Sequence, residues 1–516
     1  MSASVAIGES PVRFTLRADT LAQSVVILLG MSVLQRAVGF GRSILFCRWI
    51  EPEQLGQWDL TYAFLELAAP IAVLSLPACF GRYVEHYRQR DQLRTFLWRT
   101  FMAIGLLTAA AVSLLVAGRS WFSHMLYGHA APGLMGIIIF TLPALIVYNS
   151  LGEVFSGLRM YRVASGLQFV QSLLFAVLGV ALVRTWSDRA DSILLAFGVA
   201  CALCSLLPLY WLAQTWRHMP AAAEPLPQTV FWAKLLPFVA SVWVSNWLGN
   251  LFTMADRYMI IHYSGMDADE ALAAVGQYHS ARVVPLLLIT LAALISGMLV
   301  PFMSHEWEAG RREAVSARIN SFLKVTGLSL TAAAALVMVA SPLLFGWAFA
   351  GKFDAGLGVL PLTLTFSVWF GMFLIAKTYL WCDERVWLVS VGFALGIAVN
   401  LCINSVLLPR FGWQGAVVAT CAATLVMLLV TYAFVSLRGM PINAGTWFVS
   451  ALPAVLWLGP WFALGSLMAV AGLAARGEWI FDRREKEQLA AVLADYWGRI
   501  CSHWSRWNSA AGSIDV

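Results

Sequence analysis

Hydrophobic residues in this chain come in long, nearly unbroken runs, and the short segments between them hold most of the charged residues, Gly and Pro. About 20 apolar helical residues cross a hydrocarbon core of about 30 Å, and the runs have that length. They predict helical spans near 21–47, 58–80, 96–117, 134–155, 164–184, 192–214, 235–263, 275–303, 321–345, 359–381, 386–408 and 414–437. Residues 445–475 form a further apolar stretch broken at Gly459-Pro460, which reads either as two short spans or as a re-entrant hairpin. The expected fold is all-α and integral to a membrane, with 12 to 14 transmembrane helices.

Composition supports this reading. Hydrophobic residues make up 60% of the chain and charged residues 12%, against about 25% charged in a soluble protein. Residues 1–20 are polar and carry Arg13 and Arg17. The apolar run after them lacks a small-residue cleavage site, so it reads as an uncleaved first span and not as a signal peptide. Eight cysteines are scattered along the chain, including Cys201 and Cys204 at C-x-x-C spacing inside an apolar run. Thiolate chemistry needs exposure near positive charge, so no disulfide, metal or cofactor site is assigned.

The net charge of +6 is not gathered with aromatics on a soluble segment, which argues against nucleic acid as a partner. It reads instead as orientation. With the N-terminus inside, seventeen basic residues fall on its side, among them Arg82, Arg99, Lys234 and Lys324, and six, including Arg48 and Lys352, on the other. Cytoplasmic loops carry the excess of Lys and Arg, so both termini are expected in the cytoplasm, the tail being residues 476–516. Within it Leu489, Val492, Leu493, Tyr496, Trp497, Ile500, Trp504 and Trp507 recur at helical spacing, as in an amphipathic helix lying on the membrane surface.

A short internal repeat organises the spans. Arg42 precedes Leu55-Gly56-Gln57-Trp58, and Arg257 precedes Val275-Gly276-Gln277-Tyr278. The match divides the chain into an N-lobe (21–218, spans one to six) and a C-lobe (230–438, spans seven to twelve). An even number of spans per lobe implies a pseudo-twofold axis along the membrane normal, with a substrate path between the lobes.

Ionisable residues inside spans cost about 3 kcal/mol or more at mid-bilayer and are functional candidates by default. The basic ones are Arg36, Arg42, Arg257, Arg282 and Lys377, and the acidic ones Glu66, Glu153 and Asp256. On a helix turning about 100° per residue, Asn246, Asn250, Thr253 and Arg257 form one polar stripe, while Asp59, Tyr62 and Glu66 share a face of span two. Basic groups outnumber acidic ones, which suits an anionic substrate, and arginine forks match phosphate oxygens. The competing reading is that these groups are interhelical ion pairs and hydrogen bonds.

Enzyme signatures do not survive inspection. Gly346 to Lys352 has P-loop spacing, but Phe353 stands where Ser or Thr would hold magnesium, and the segment ends an apolar span. His305-Glu306 lacks a second histidine at zinc spacing.

Arg36-Ala37-Val38-Gly39-Phe40 with Glu51-Pro52-Glu53-Gln54-Leu55-Gly56 resembles the first-span signature of polysaccharide-biosynthesis flippases in the multidrug/oligosaccharidyl-lipid/polysaccharide exporter superfamily. Asp256-Arg257, Val275-Gly276-Gln277-Tyr278 and Pro409-Arg410-Phe411-Gly412 to Ala416 resemble later motifs of the same family, and Ile50 departs from its usual Leu-Gly. The resemblance implies a bacterial inner-membrane flippase that turns a polyprenyl-pyrophosphate-linked oligosaccharide outward by alternating access. A polysaccharide polymerase and glycosyltransferases would be its candidate partners, alongside membrane lipids. Substrate would meet Arg36, Arg42, Arg257, Asn246, Asn250, Arg282 and Lys377, and Glu66 or Asp256 would couple movement to an ion. A drug or metabolite exporter of the same superfamily and a membrane enzyme of glycan assembly are the alternatives.

Overall fold

A computed structural model describes residues 21–216, 226–483 and 485–487. The polar N-terminus, Arg217 and the amphipathic tail from Leu489 lie outside the described residues. Among those described, α-helices follow one another without a strand: α1 (Leu21–Trp49), α2 (Pro52–Ala72), α3 (Ala78–Arg88), α4 (Leu93–Ala117), α5 (Arg119–Tyr127), α6 (Pro132–Gly157), α7 (Tyr161–Thr185), α8 (Ala190–Trp216), α9 (Gln228–Tyr263), α10 (Ala268–Val283), α11 (Pro285–Glu308), α12 (Arg312–Leu343), α13 (Ala355–Cys382), α14 (Val386–Phe411), α15 (Trp413–Leu437), α16 (Ala444–Ala451) and α17 (Pro460–Arg476).

Ten of these are long and apolar enough to cross a membrane: α4, α6 to α9 and α11 to α15. The first two expected spans fall on α1 and α2. In α2, Asp59 and Glu66 interrupt the apolar sequence because that face is turned into the protein. The span expected at 58–80 is broken: α2 ends at Ala72 and α3 starts at Ala78. The eighth expected span is covered by α10 and α11, which meet at Val284 ahead of Pro285. The C-terminal apolar stretch breaks where expected, a 3-10 segment (Leu452–Leu458) after α16 leading to Gly459 and then α17.

Packing groups the chain into two compact units. The first holds the described residues up to Ser280 together with Ala348–Phe353 and Leu408–Trp413. In it α6 packs on α8, α1 on α7, and α2 on α9. The other holds Ala281–Trp347, Asp354–Leu407 and the described residues from Gln414 on. Its centre is α13, flanked by α11 and α12; 83% of its most apolar window is buried, against 17% for α4 in the first unit, which marks α13 as core.

Polar residues in this second unit act as packing glue. Asn404 donates to Asn400 at 3.0 Å, and Asn400 to Thr420 at 3.4 Å. Lys324, expected in a cytoplasmic loop, is instead buried within α12. Its ammonium donates to the Ile480 carbonyl at 3.0 Å and to Glu485 Oε2 at 2.6 Å, tying the segment after α17 to the bundle.

Candidate functional site

The break in the second span is the most unusual backbone in the first unit. Pro70 and Pro77 bracket it, and Leu74 (φ 51) and Ser75 (φ 53) both take the left-handed conformation. Non-glycine residues there cost about 1–3 kcal/mol each and persist only when neighbours fix them. Ser75 is fixed twice: its N–H donates to the Pro70 carbonyl at 2.8 Å, and its Oγ accepts from Asn246 Nδ2 at 3.2 Å. Irregular backbone at membrane depth is tolerated where it is buried in protein or lines a cavity.

A cavity of about 300 Å³ opens at this break, among α2, α3, α6, α7 and α9. Its polar wall includes Glu66, Ser75, Asn149, Glu153, Asn246 and Asn250. Among the described residues no arginine, lysine or histidine lines it.

The α9 stripe explains how the wall is held, because Asn246, Asn250 and Arg257 all reach α2 or the break. Asn246 reaches Ser75, Asn250 Nδ2 donates to the Glu66 carbonyl at 3.1 Å, and one turn beyond Thr253 comes Arg257. Arg257 is not in the cavity wall. Its Nε donates to Asp59 Oδ2 at 2.5 Å and its NH2 to Asp59 Oδ1 at 3.1 Å, and its NH1 reaches the Thr253 carbonyl. His279 Nδ1 lies 2.7 Å from the same Asp59 Oδ1, so α2, α9 and α10 meet at one buried carboxylate. Asp256 also lies off the cavity, buried, and accepts from the Tyr278 hydroxyl at 2.6 Å.

The remaining sequence candidates are dispersed. Arg36 is exposed on α1, which runs unbroken through Gly39 and Gly41. Arg42 is half-buried with its guanidinium carbon 4.0 Å from the Phe175 ring centroid. Arg282 and Lys377 belong to the second unit: Arg282 is buried, 6.0 Å from the Phe366 ring, and the Lys377 ammonium lies 5.8 Å from the Trp381 ring. The structure thus gathers Glu66, Asn246 and Asn250 at one cavity and leaves the basic candidates out of it. Sequence reasoning did not assign Ser75, Asn149 or Asp59 to a site; the Pro70/Pro77 pair flanking the break was the signal available for Ser75.

The repeated motifs meet physically. A Cβ on Gly56 would lie 1.9 Å from the Leu272 carbonyl oxygen, and one on Gly276 would lie 1.9 Å from that of Pro52. The glycines therefore let α2 and α10 cross with backbone against backbone.

Residues 21–307, more than half the chain, match the sequence profile of polysaccharide biosynthesis proteins. The uncharacterized membrane protein EpsK of Bacillus subtilis (strain 168) is 24% identical over 288 residues, which are 54% of this chain and 55% of EpsK, about half the length of that relative. The fold is shared with the lipid II flippase MurJ in an inward closed conformation, at a TM-score of 0.66 and 13% identity over 86% of this chain and 96% of that one. It is also shared with an outward-facing multidrug resistance MATE family transporter of the MOP superfamily, at a TM-score of 0.59 and 14% identity over 82% of this chain and 96% of that one. A helical membrane fold with a polar cavity at a broken span, matched over more than half its length by this profile, means that the chain belongs to the polysaccharide biosynthesis protein family.

Proposed function

We propose that the protein is a flippase that carries a polyprenyl-pyrophosphate-linked oligosaccharide from the cytoplasmic to the outer face of a bacterial inner membrane. The observation that carries this reading is the composition of the cavity wall. Sugar hydroxyls both donate and accept, and a wall of amides, hydroxyls and carboxylates supplies both complements. The prenyl chain would remain in lipid while the glycan head occupies the cavity. Discontinuous membrane helices are where transporters place their substrate sites, and the cavity lies at such a break.

In this account the phosphates meet Arg36 and Arg42 on α1, while Arg257 serves the site from behind by holding α9 against α2 through Asp59. Glu66, in the cavity wall, is the candidate for ion coupling. Movement would follow alternating access of the two six-span lobes, with both termini cytoplasmic. A drug or metabolite exporter is the second reading, favoured by one observation: the wall holds two carboxylates, Glu66 and Glu153, which suit an organic cation.

Depletion in cells separates the two. The flippase reading predicts that the lipid-linked precursor accumulates on the cytoplasmic leaflet and that surface polysaccharide is lost. Normal surface polysaccharide together with heightened sensitivity to cationic drugs would establish the exporter instead.

A further inference from the structure

Away from the cavity, α3 and α9 bring a second polar group together. The end of α3 leads into the loop before α4, and the first turns of α9 come next after α8 among the helices. Four spans, α4, α6, α7 and α8, separate the two places in sequence, so both lie on the same membrane face. There His86 Nε2 lies 2.6 Å from Lys234 Nζ and within hydrogen-bond range of Arg90 NH1. A neutral imidazole offers one acceptor nitrogen, so one lone pair faces two cations. Burial, then Lys234 and Arg90, hold the His86 imidazole below its ordinary pKa, which keeps the ring an acceptor at neutral pH.

Arg82, one turn before His86, is exposed and rests its guanidinium carbon 4.8 Å from the Phe238 ring centroid. The platform is fixed where the Tyr83 hydroxyl donates to the Lys234 carbonyl at 3.3 Å and the Tyr83 and Phe238 rings lie 5.7 Å apart. Among the described residues no carboxylate pairs with Arg82, Arg90 or Lys234; Glu85, on the same helix, faces Arg88 at 3.8 Å. Cations held this closely repel, and an oxyanion would relieve that repulsion while giving the second donor an acceptor. Charge-assisted hydrogen bonds to phosphate are about twice as strong as neutral ones, and basic groups at a membrane face attract anionic headgroups.

We propose that Arg82, Arg90 and Lys234, arranged around His86, bind the phosphate group of a membrane lipid at this face, separately from the cavity. That phosphate belongs either to the pyrophosphate of the carried lipid, which would then be held before it enters, or to an anionic phospholipid of the bilayer. The site stands whether or not the protein is a flippase, because it requires only a phosphate at the membrane surface.

The test uses the full chain in nanodiscs of neutral phosphatidylcholine, titrated with farnesyl pyrophosphate or with farnesol as the uncharged control, and in parallel nanodiscs containing phosphatidylglycerol. Arg90 and Lys234 are exposed, so the double variant R90Q/K234Q should unfold at the wild-type temperature without ligand. Farnesyl pyrophosphate is expected to bind this variant about tenfold or more weakly than wild type, Lys234→Arg is expected to keep binding, and farnesol is expected to show no difference. If instead only the phosphatidylglycerol-dependent rise in unfolding temperature is lost in the double variant, the site stands and its phosphate is the phospholipid's. Equal response of wild type and double variant to both probes would overturn the proposal.

Discussion

Asp59 is the residue on which the first unit converges. Its carboxylate is buried, takes two hydrogen bonds from Arg257, and touches His279 from a third helix. Removing one partner of such a pair leaves the other charged and buried, at a cost of about 3–5 kcal/mol. Asp59→Asn should therefore destabilise the protein by about that much, whereas an apolar replacement of both partners, D59L/R257L, should recover much of the loss; thermal unfolding in detergent checks both. A D59N variant as stable as wild type would show that the pair contributes nothing. Periodicity placed Arg257 on the same stripe as Asn246 and Asn250, and that stripe exists. What periodicity cannot supply is the partner: Asp59 lies 198 residues away, and only the crossing of α2 with α9 decides whether an arginine meets a substrate or a carboxylate.

Helix boundaries were legible wherever hydropathy alone sets them, as in α4, α6 to α8 and α13 to α15, whose limits fall within a few residues of the runs. They were less legible where tertiary structure overrides the run. The second span breaks at Leu74 and Ser75, two residues with no intrinsic preference for the left-handed region, because Pro70, Pro77 and Asn246 hold the turn. Lys324 sits inside α12 because Glu485 neutralises it from the segment after α17. The Φ-G-Q-aromatic repeat was visible in sequence, but its purpose was not. Gly56 and Gly276 are the contact surfaces of α2 and α10. Alanine at either would press on a backbone carbonyl, and overpacking of this kind costs about 1–3 kcal/mol or more. Gly41 in α1 has nothing within 4 Å, so Gly41→Ala should be neutral or stabilise by up to about 1 kcal/mol through helix propensity. Unfolding temperatures of the three single variants test the contrast, and equal shifts at Gly41 and Gly56 would refute the crossing.

For the whole molecule, hydropathy and motif order sufficed to identify a helical membrane protein of the polysaccharide biosynthesis family. The expected basic character of its cavity is where charge counting and geometry part. Counting charges along spans weighs Arg257 as free, yet it is paired with Asp59, and Arg36 is exposed on α1. The polar wall of the cavity at the broken span instead carries amides, hydroxyls and two carboxylates, the groups on which the proposed sugar reading rests. In the proposed function this cavity handles the glycan of a lipid-linked substrate. Its most direct test is the rate at which a polyprenyl-pyrophosphate-linked oligosaccharide becomes accessible to an external glycosidase in proteoliposomes, for wild type and for N246L/N250L, which removes two amides from the wall while leaving Arg36 and Arg42. Each lost polar contact is worth about 1 kcal/mol, so translocation by wild type is predicted, and a rate about tenfold or more lower in the double variant, both proteins being assayed well below their unfolding temperatures. Translocation at the same rate by both proteins, or by neither, would contradict it.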